Sequence, residues 1–192
     1  MLRNDSGRRY TYGDYVQWTG DERWELVDGQ VFDMTPAPSR LHQQVVTGLV
    51  LQIGNHLRGH RCQVYVAPFD VRLPKGDEPD QQIDTVVQPD IVVICDPAKL
   101  DDAGCRGAPD WVVEILSPRT SARDQELKRD LYARSGVREY WHLDPVSREL
   151  VRYRRDEGAG GLTEPVRGVA GGRIGTAVLA DLEIDFDEVF AD

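Results

Sequence analysis

The stretch from 110 to 118, DWVVEILSP, places the strongest constraint on how this chain can fold. Its apolar residues run from Trp111 to Leu116 and predict a buried strand, yet Glu114 stands in the middle of them. Burying an unpaired carboxylate costs on the order of several kcal/mol, which is comparable with the whole stability of a domain. The fold must therefore supply a partner for Glu114, or expose that side of the strand.

The length favours one domain spanning 1–192, with a core over about 12–155 and a loose connection and C-terminal tail over 156–192. No apolar run approaches the roughly 20 residues that cross a bilayer, and the N-terminus lacks the apolar centre of a signal peptide. We therefore expect a cytoplasmic protein without a membrane partner. The cysteines, Cys62, Cys95 and Cys105, lack paired spacing, which argues against a zinc site or a disulfide framework.

Hydrophobic periodicity and turn residues predict helices interleaved with strands. Helices are expected over 11–18, 39–58 and 121–134, and strands over 62–67, 69–73, 91–95 and 111–116. Two hairpins are expected, turning at Asp28-Gly29 and at 144–147, whereas 157–172, with six glycines, is interpreted as a loose connection before a last short element. This order indicates an α/β (α+β) fold with a mixed central sheet flanked by helices and an N-terminal hairpin.

Two of the apolar strands carry an acid at an informative place. Asp90 stands directly before the apolar run 91–94, and Glu114 lies inside the next such run. Neighbouring strands would bring both carboxylates to one point at the end of the sheet. Hard oxygen ligands of this kind suit Mg²⁺ or Mn²⁺, and a metal would supply the charge that Glu114 lacks.

Two further charged residues could complete such a site. Glu25 also has apolar neighbours, in WELVDG, and Lys128 lies about two turns into the helix that follows the Glu114 strand. A lysine beside a metal would orient the attacking water or offset charge that develops on a phosphate.

The chain as a whole resembles a known family of nucleases. A Pro-Asp pair before one strand and a Glu in the next resemble the PD-(D/E)-x-K motif of restriction-endonuclease-like nucleases. The wider pattern comprises WELVDG, Pro36 to His42 opening a helix, APFDVRL, QPDIVVICDP, APDWVVEILSPRT and D-x-x-x-K-x-x-x-Y-x-x-x-G-V-x-E-Y-W-x-x-D-P. It closely resembles the Uma family of bacterial endonucleases over roughly residues 12–153.

This resemblance implies a restriction-endonuclease-like core and a Mg²⁺- or Mn²⁺-dependent endonuclease that hydrolyses phosphodiester bonds in DNA. It does not exclude RNA, and it allows a homodimer, since duplex nucleases of this fold often act as dimers.

By motif match, Asp90 and Glu114 become the metal ligands, together with the main-chain carbonyl of Ile115. Lys128 would position water and stabilise charge, and Glu25 corresponds to the family's additional N-terminal acid. The chain departs from the plain motif two positions after Glu114. That position is leucine rather than lysine, and Lys128 matches a lysine moved to the following helix.

Each candidate also has a structural interpretation. Asp90 could be a turn or capping residue, and Glu114 could point to an exposed sheet face or pair with an arginine. Lys128 could pair with Asp124 at i,i+4 spacing. Glu25 could face a nearby arginine, Arg23 or Arg72.

The same applies to residues around the candidates. His42, which the family pattern shares, could stand next to a helix N-cap, be a core histidine or line the site. Gln82 and Gln88 could line the strand that approaches Asp90 or be surface residues. The basic residues Arg119, Arg123 and Arg129 could contact phosphates or form a solvated helix face. Packing is the simplest role for Tyr132, Tyr140 and Trp141.

Three functions remain open from the sequence. The first is the metal-dependent endonuclease, and the second is a catalytically silent module of the same fold that binds nucleic acid or protein. The third is a metal-dependent hydrolase of a small phosphorylated substrate. The net charge of −10 argues against a protein that simply coats nucleic acid. A wide basic surface around the carboxylates would favour DNA, and an enclosed pocket would favour a small molecule.

Overall fold

The computed structural model describes residues 7–19, 23–34, 37–117, 122–156, 158 and 160–191. Pro36, Ser121 and Arg119 lie outside these ranges. The helices are α1 Tyr12–Tyr15, α2 Arg40–His56, α3 Ala122–Ser135 and α4 Phe186–Val189. The strands are β1 Arg23–Val27, β2 Gln30–Met34, β3 Gln63–Val66, β4 Val71–Arg72, β5 Val86–Val87, β6 Ile91–Ile94, β7 Leu100–Asp101, β8 Gly104–Arg106, β9 Trp111–Ile115, β10 Glu139–Leu143, β11 Glu149–Arg154, β12 Val166–Val169, β13 Arg173–Gly175 and β14 Glu183–Asp185.

Two six-stranded mixed sheets form the centre of the fold. The larger has the order β12-β11-β10-β9-β6-β3, and the smaller β2-β1-β5-β4-β8-β7. The parallel pairs are β9 with β10 and β4 with β8. The predicted mixed α+β class is confirmed, but the sequence indicated one sheet rather than two. Most strands of the smaller sheet have two or three residues, too few to show a period of two.

β9 is an internal strand of the larger sheet, paired with β10 on one side and β6 on the other, and both faces of the sheet are covered at β9. On one face, Trp111 and Val113 pack against the buried positions Val45, Leu49 and Ile53 of α2. On the other face, Val112 packs with residues of α3. Burial of alternate side chains on opposite faces explains why β9 reads as a continuous apolar run. Glu114 shares its face with Val112, on the α3 side.

Local signals placed several elements correctly. The Thr11 and Asp14 capping box begins α1, and the Ser39 side chain accepts a hydrogen bond from the main-chain N–H of His42 at the start of α2. The hairpin turns at Asp28 and Gly29, with φ of 50° and 74°. A Cβ at Gly29 would also lie 2.8 Å from the Arg9 side chain, so the turn requires glycine.

The C-terminal quarter is more ordered than the sequence indicated. The interpretation of 157–172 as a loose connection is wrong for β12, which pairs with β11 at the edge of the larger sheet. All four of its residues are exposed, so it shows no apolar alternation. Farther on, Gln52 of α2 bonds both the N–H and the carbonyl of Asp185, and Phe186 is buried in the core.

The expectation of no disulfide is also wrong. Cys62 and Cys95 form one, at facing ends of the antiparallel pair β3 and β6. They are 33 positions apart in sequence, and only strand pairing brings them together. Cys105 is a buried free thiol. Among the described helices, none is long and apolar enough to cross a membrane.

Stability should depend on pH through His142, which is buried in β10 with aromatic contacts to Tyr140 and Tyr153. Burial, reinforced by the charge of Arg167, lowers the pKa of His142 to about 4. Protonation therefore favours the unfolded chain below the ordinary pKa of about 6.5. The free energy of unfolding should lose about 2 kcal/mol from this group between pH 7 and pH 5.

The measurement is urea unfolding of the wild type and of His142→Phe across that range. As the pH falls, the wild type should lose about 2 kcal/mol of unfolding free energy relative to the variant, which lacks the histidine. A difference that stays constant with pH would contradict the assignment.

Candidate active site

The antiparallel pairing of β6 and β9 brings two candidate acids to one end of the larger sheet. Ile91 pairs with Val113, so Asp90 stands across from Glu114. The Asp90 Oδ2 atom accepts a hydrogen bond of 2.8 Å from the main-chain N–H of Ile115. Asp90 thus lies beside Glu114 and Ile115, the other two residues that the family motif assigns to the metal.

Glu114 finds its partners on α3. Its Oε1 atom accepts a hydrogen bond from Tyr132 Oη at 2.7 Å and lies 3.0 Å from Lys128 Nζ. Lys128 and Tyr132 are four residues apart and so share one face of the helix. These two contacts supply the compensation that a mid-strand carboxylate requires.

Glu25 reaches the same lysine from the smaller sheet. Its Oε1 atom accepts hydrogen bonds from Lys128 Nζ at 2.7 Å and from the main-chain N–H of Gln88 at 2.8 Å. The alternative of an arginine partner is wrong. Arg23 bonds the Gln88 side chain, and Arg72 pairs with Asp80 and Asp101.

Burial and crowded charge alter the acid–base properties of the pair. Burial raises the pKa of Glu114 to about 7, the ammonium of Lys128 opposes this rise, and the charges of Asp90 and Glu25 reinforce it. Burial by itself would lower the pKa of Lys128, but Glu114 and Glu25 raise it above its ordinary value. Lys128 therefore stays protonated at neutral pH, and extra positive charge near Glu114 would favour its ionised form.

His42, at the start of α2, approaches the site from the opposite face of the sheet. Its Nε2 atom lies 3.2 Å from Asp90 Oδ1. Burial lowers the pKa of His42, but the hydrogen bond and charge of Asp90, with the charge of Glu114, raise it overall. With the Ile115 N–H on its other oxygen, Asp90 has both carboxylate oxygens oriented by protein groups.

A cavity of about 250 Å³ opens beside Glu25, Glu114 and Lys128. The hairpin supplies one wall, with Val27, Phe32, Asp33 and Met34. The opposite wall comes from α3, with Asp124, Gln125 and Leu127. Ile115 and Leu116 line the cavity too, so Leu116 stands at its edge where the plain motif would place a lysine.

The donor set fits a hard divalent cation held by few protein ligands. Within the described ranges, no three His, Cys, Asp or Glu side chains converge as a metal site. Mg²⁺ commonly binds through one or two carboxylates, with water and substrate oxygens completing its shell. Asp90 and Glu114, with the Ile115 carbonyl, match that requirement. Burial raises the pKa of Glu114 and repulsion from Asp90 and Glu25 adds to the rise, and a bound cation would offset both effects.

Sequence reasoning gave too little weight to three residues. Gln88 is buried and anchors Glu25, Tyr132 bonds Glu114, and His42 pairs with Asp90. Tyr132 lies at i,i+4 from Lys128 and in the quoted family pattern, His42 lies in the family pattern as well, and Gln88 carried no specific signal. Of the three candidate arginines, the two within the described ranges are less involved, since Arg123 is exposed and Arg129 pairs with Asp130.

Removing Lys128 should be costly, because it would leave two buried carboxylates facing each other. Lys128→Met should lower the free energy of unfolding by about 3 kcal/mol. Arg129→Met, one position along the same helix but with a half-exposed side chain, should change it by less than about 0.5 kcal/mol. Chemical denaturation of both variants tests this, and equal effects would show that Lys128 is an ordinary surface lysine.

Adding Glu114→Gln to Lys128→Met should restore part of the lost stability, because it removes one uncompensated charge. Strictly additive losses would contradict the coupling.

Comparison with known proteins agrees with this architecture. A crystal structure described as "a putative nuclease belonging to DUF820 from Anabaena variabilis ATCC 29413" superposes with a TM-score of 0.73. The superposition covers 94% of this chain and 97% of the other chain at 17% sequence identity, which shows that the two proteins share a fold. The uncharacterized protein slr1290 of Synechocystis sp. is 28% identical over 147 residues, 75% of this chain and 73% of the relative.

The family model Uma2, described as "Putative restriction endonuclease", matches residues 12–186. This match confirms the resemblance seen in the motifs and covers nearly all of both sheets and the candidate site. The protein is therefore a member of the Uma2 family of restriction-endonuclease-like nucleases.

Proposed function

We propose that this protein is a Mg²⁺- or Mn²⁺-dependent endonuclease that hydrolyses phosphodiester bonds in DNA. One observation carries the proposal: Lys128 bridges the carboxylates of Glu25 and Glu114 at one cavity, and Asp90 stands across from Glu114 on the neighbouring strand. Acids that can hold a metal, beside a lysine, suit metal-assisted hydrolysis of a phosphodiester bond. The recessed, mainly acidic cavity by itself would also suit a small phosphorylated substrate, and membership of a nuclease family is what favours a nucleic acid.

Asp90 and Glu114, with the Ile115 carbonyl, would hold the ion, and Glu25 would assist on the side of the smaller sheet. When bound, the metal lowers the pKa of a water and neutralises charge on the phosphate.

Three further side chains would contact the substrate or orient the acids. Lys128 donates one hydrogen bond to Glu25 and one to Glu114. The third N–H of its ammonium group could donate to a water or a phosphate oxygen at the cavity. Tyr132 and His42 hold Glu114 and Asp90 in place, which limits the reorganisation needed when substrate arrives.

Glu114→Gln should abolish both divalent-ion binding and cleavage while the protein stays folded. Calorimetric titration with Mg²⁺ and Mn²⁺, followed by cleavage assays on DNA and RNA oligonucleotides, measures both effects. Asp90→Ala should lose both in the same way, because it shares the metal.

Glu126→Gln is the matched control, since Glu126 is an exposed acid on α3 outside the cavity lining. Cleavage by Glu114→Gln at the wild-type rate would overturn the assignment. If the folded wild type binds neither ion and cleaves nothing, the catalytically silent module becomes the better explanation. The homodimer stays a prediction, which sedimentation of the same samples tests.

A further inference from the structure

We infer that the substrate is an unpaired DNA strand, one nucleobase of which enters the cavity beside the carboxylates. The inference rests on the proposed function and narrows its substrate class. It follows from three properties of the cavity: the depth of its charged groups, the apolar character of its walls and the sign of its charge.

The reactive groups are recessed. The side chain of Glu25 is 8% exposed, that of Glu114 15% and that of Lys128 18%. A volume of about 250 Å³ lies just below the range of small-molecule pockets, which begins at about 300 Å³. Such a space suits about one nucleotide. A nucleotide of a duplex must be unpaired and unstacked before it can enter, which costs a few kcal/mol, whereas a nucleotide of a single strand is already unpaired.

The walls are suited to a base rather than to a phosphate. Phe32 pairs directly with Glu25 across the hairpin, so its ring lies on the same face as that carboxylate. Met34 follows on this face, and Leu116 and Leu127 line the cavity from the other elements. A hydrated phosphate gains nothing from apolar walls, whereas a base that leaves its stack gains contact with aromatic and apolar side chains.

A polar group occurs at the edge of this apolar region. Gln125, half-buried on α3, lines the cavity. Its amide group can bond the edge of a base that is no longer paired. Contacts of this kind need an unpaired base, because Watson–Crick pairing occupies that edge in a duplex.

The charge of the cavity disfavours a duplex as well. Among the residues that the structure describes, its lining carries the acids Glu25, Asp33, Glu114 and Asp124 and the cation Lys128. Duplex DNA carries a negative charge for every 1.7 Å or so of its axis, and proteins that hold it neutralise many phosphates with lysine and arginine. A chain of net charge −10 with this lining is better matched to a substrate that presents one phosphate at a time.

The test compares cleavage of one labelled sequence as a single strand, as a blunt duplex and as a duplex with a single-stranded overhang, in Mg²⁺ and in Mn²⁺. The single strand should be cleaved at least about tenfold faster than the duplex, and cuts in the third substrate should fall in the overhang. Cleavage of the duplex at an equal or higher rate would overturn the inference and leave the proposed nuclease intact. Absence of cleavage in all three substrates would overturn the proposed function itself.

Two further measurements address the base-binding wall. Phe32→Ala should lower kcat/KM on the single strand about tenfold, as expected for the loss of one base–aromatic stack. Phe69→Ala is the control, because Phe69 stacks on Tyr65 away from the cavity lining and should leave kcat/KM within about twofold. Thermal unfolding checks that both variants are folded, and Phe32→Leu replaces Phe32→Ala if that variant is not.

A single strand with one abasic residue gives an independent readout. Cleavage should fall about tenfold at the one bond that lies at a fixed offset from the missing base. Uniform cleavage around the abasic residue would show that no base enters the cavity.

Discussion

The ammonium group of Lys128 is the interaction on which this part of the molecule depends. It contacts Glu25 on β1 of the smaller sheet and Glu114 on β9 of the larger one, while its own backbone belongs to α3. One cation therefore connects both sheets and a helix at the place where the two carboxylates would otherwise repel each other. The apolar surroundings strengthen these contacts, because a low dielectric increases the energy of each charge pair.

The hydrogen bonds around this lysine form an ordered set. The Gln88 N–H fixes Glu25, the Tyr132 hydroxyl fixes Glu114, and the Ile115 N–H fixes Asp90. Each acid is held by at least one group that does not titrate near neutral pH. Preorganisation of this kind suits a site in which charge changes during the reaction, because little rearrangement is needed when it does.

The cavity has a charged end and an apolar end. Its charged end contains the acids and Lys128, which can act on a phosphate, and its apolar end contains Phe32 and Met34 from β2. The period of two along the hairpin puts Glu25 and Phe32 on the same face, while Leu26 and Val31 pack on the other with a cluster of aromatic residues. One short hairpin thus contributes to the site and to the core.

The sequence by itself determined what depends on near neighbours. The apolar spacing of α2, the Asp28-Gly29 turn and the buried strand around Glu114 all follow from periods and turn residues within a few positions. The need for a partner of Glu114 was evident as well, as was the candidate Lys128, only 14 positions away. Tertiary structure decided the contacts that span long distances in sequence. Lys128 meets Glu25 across 103 positions and Gln88 meets Glu25 across 63, while Cys62 and Cys95 meet only because β3 pairs with β6. The two- and three-residue strands β5, β7 and β8 of the smaller sheet and the exposed strand β12 were likewise hidden, because short or fully exposed strands carry no hydrophobic period. Which acid shares which cation depends on the packing of two sheets and a helix, and no local pattern in the chain encodes that packing.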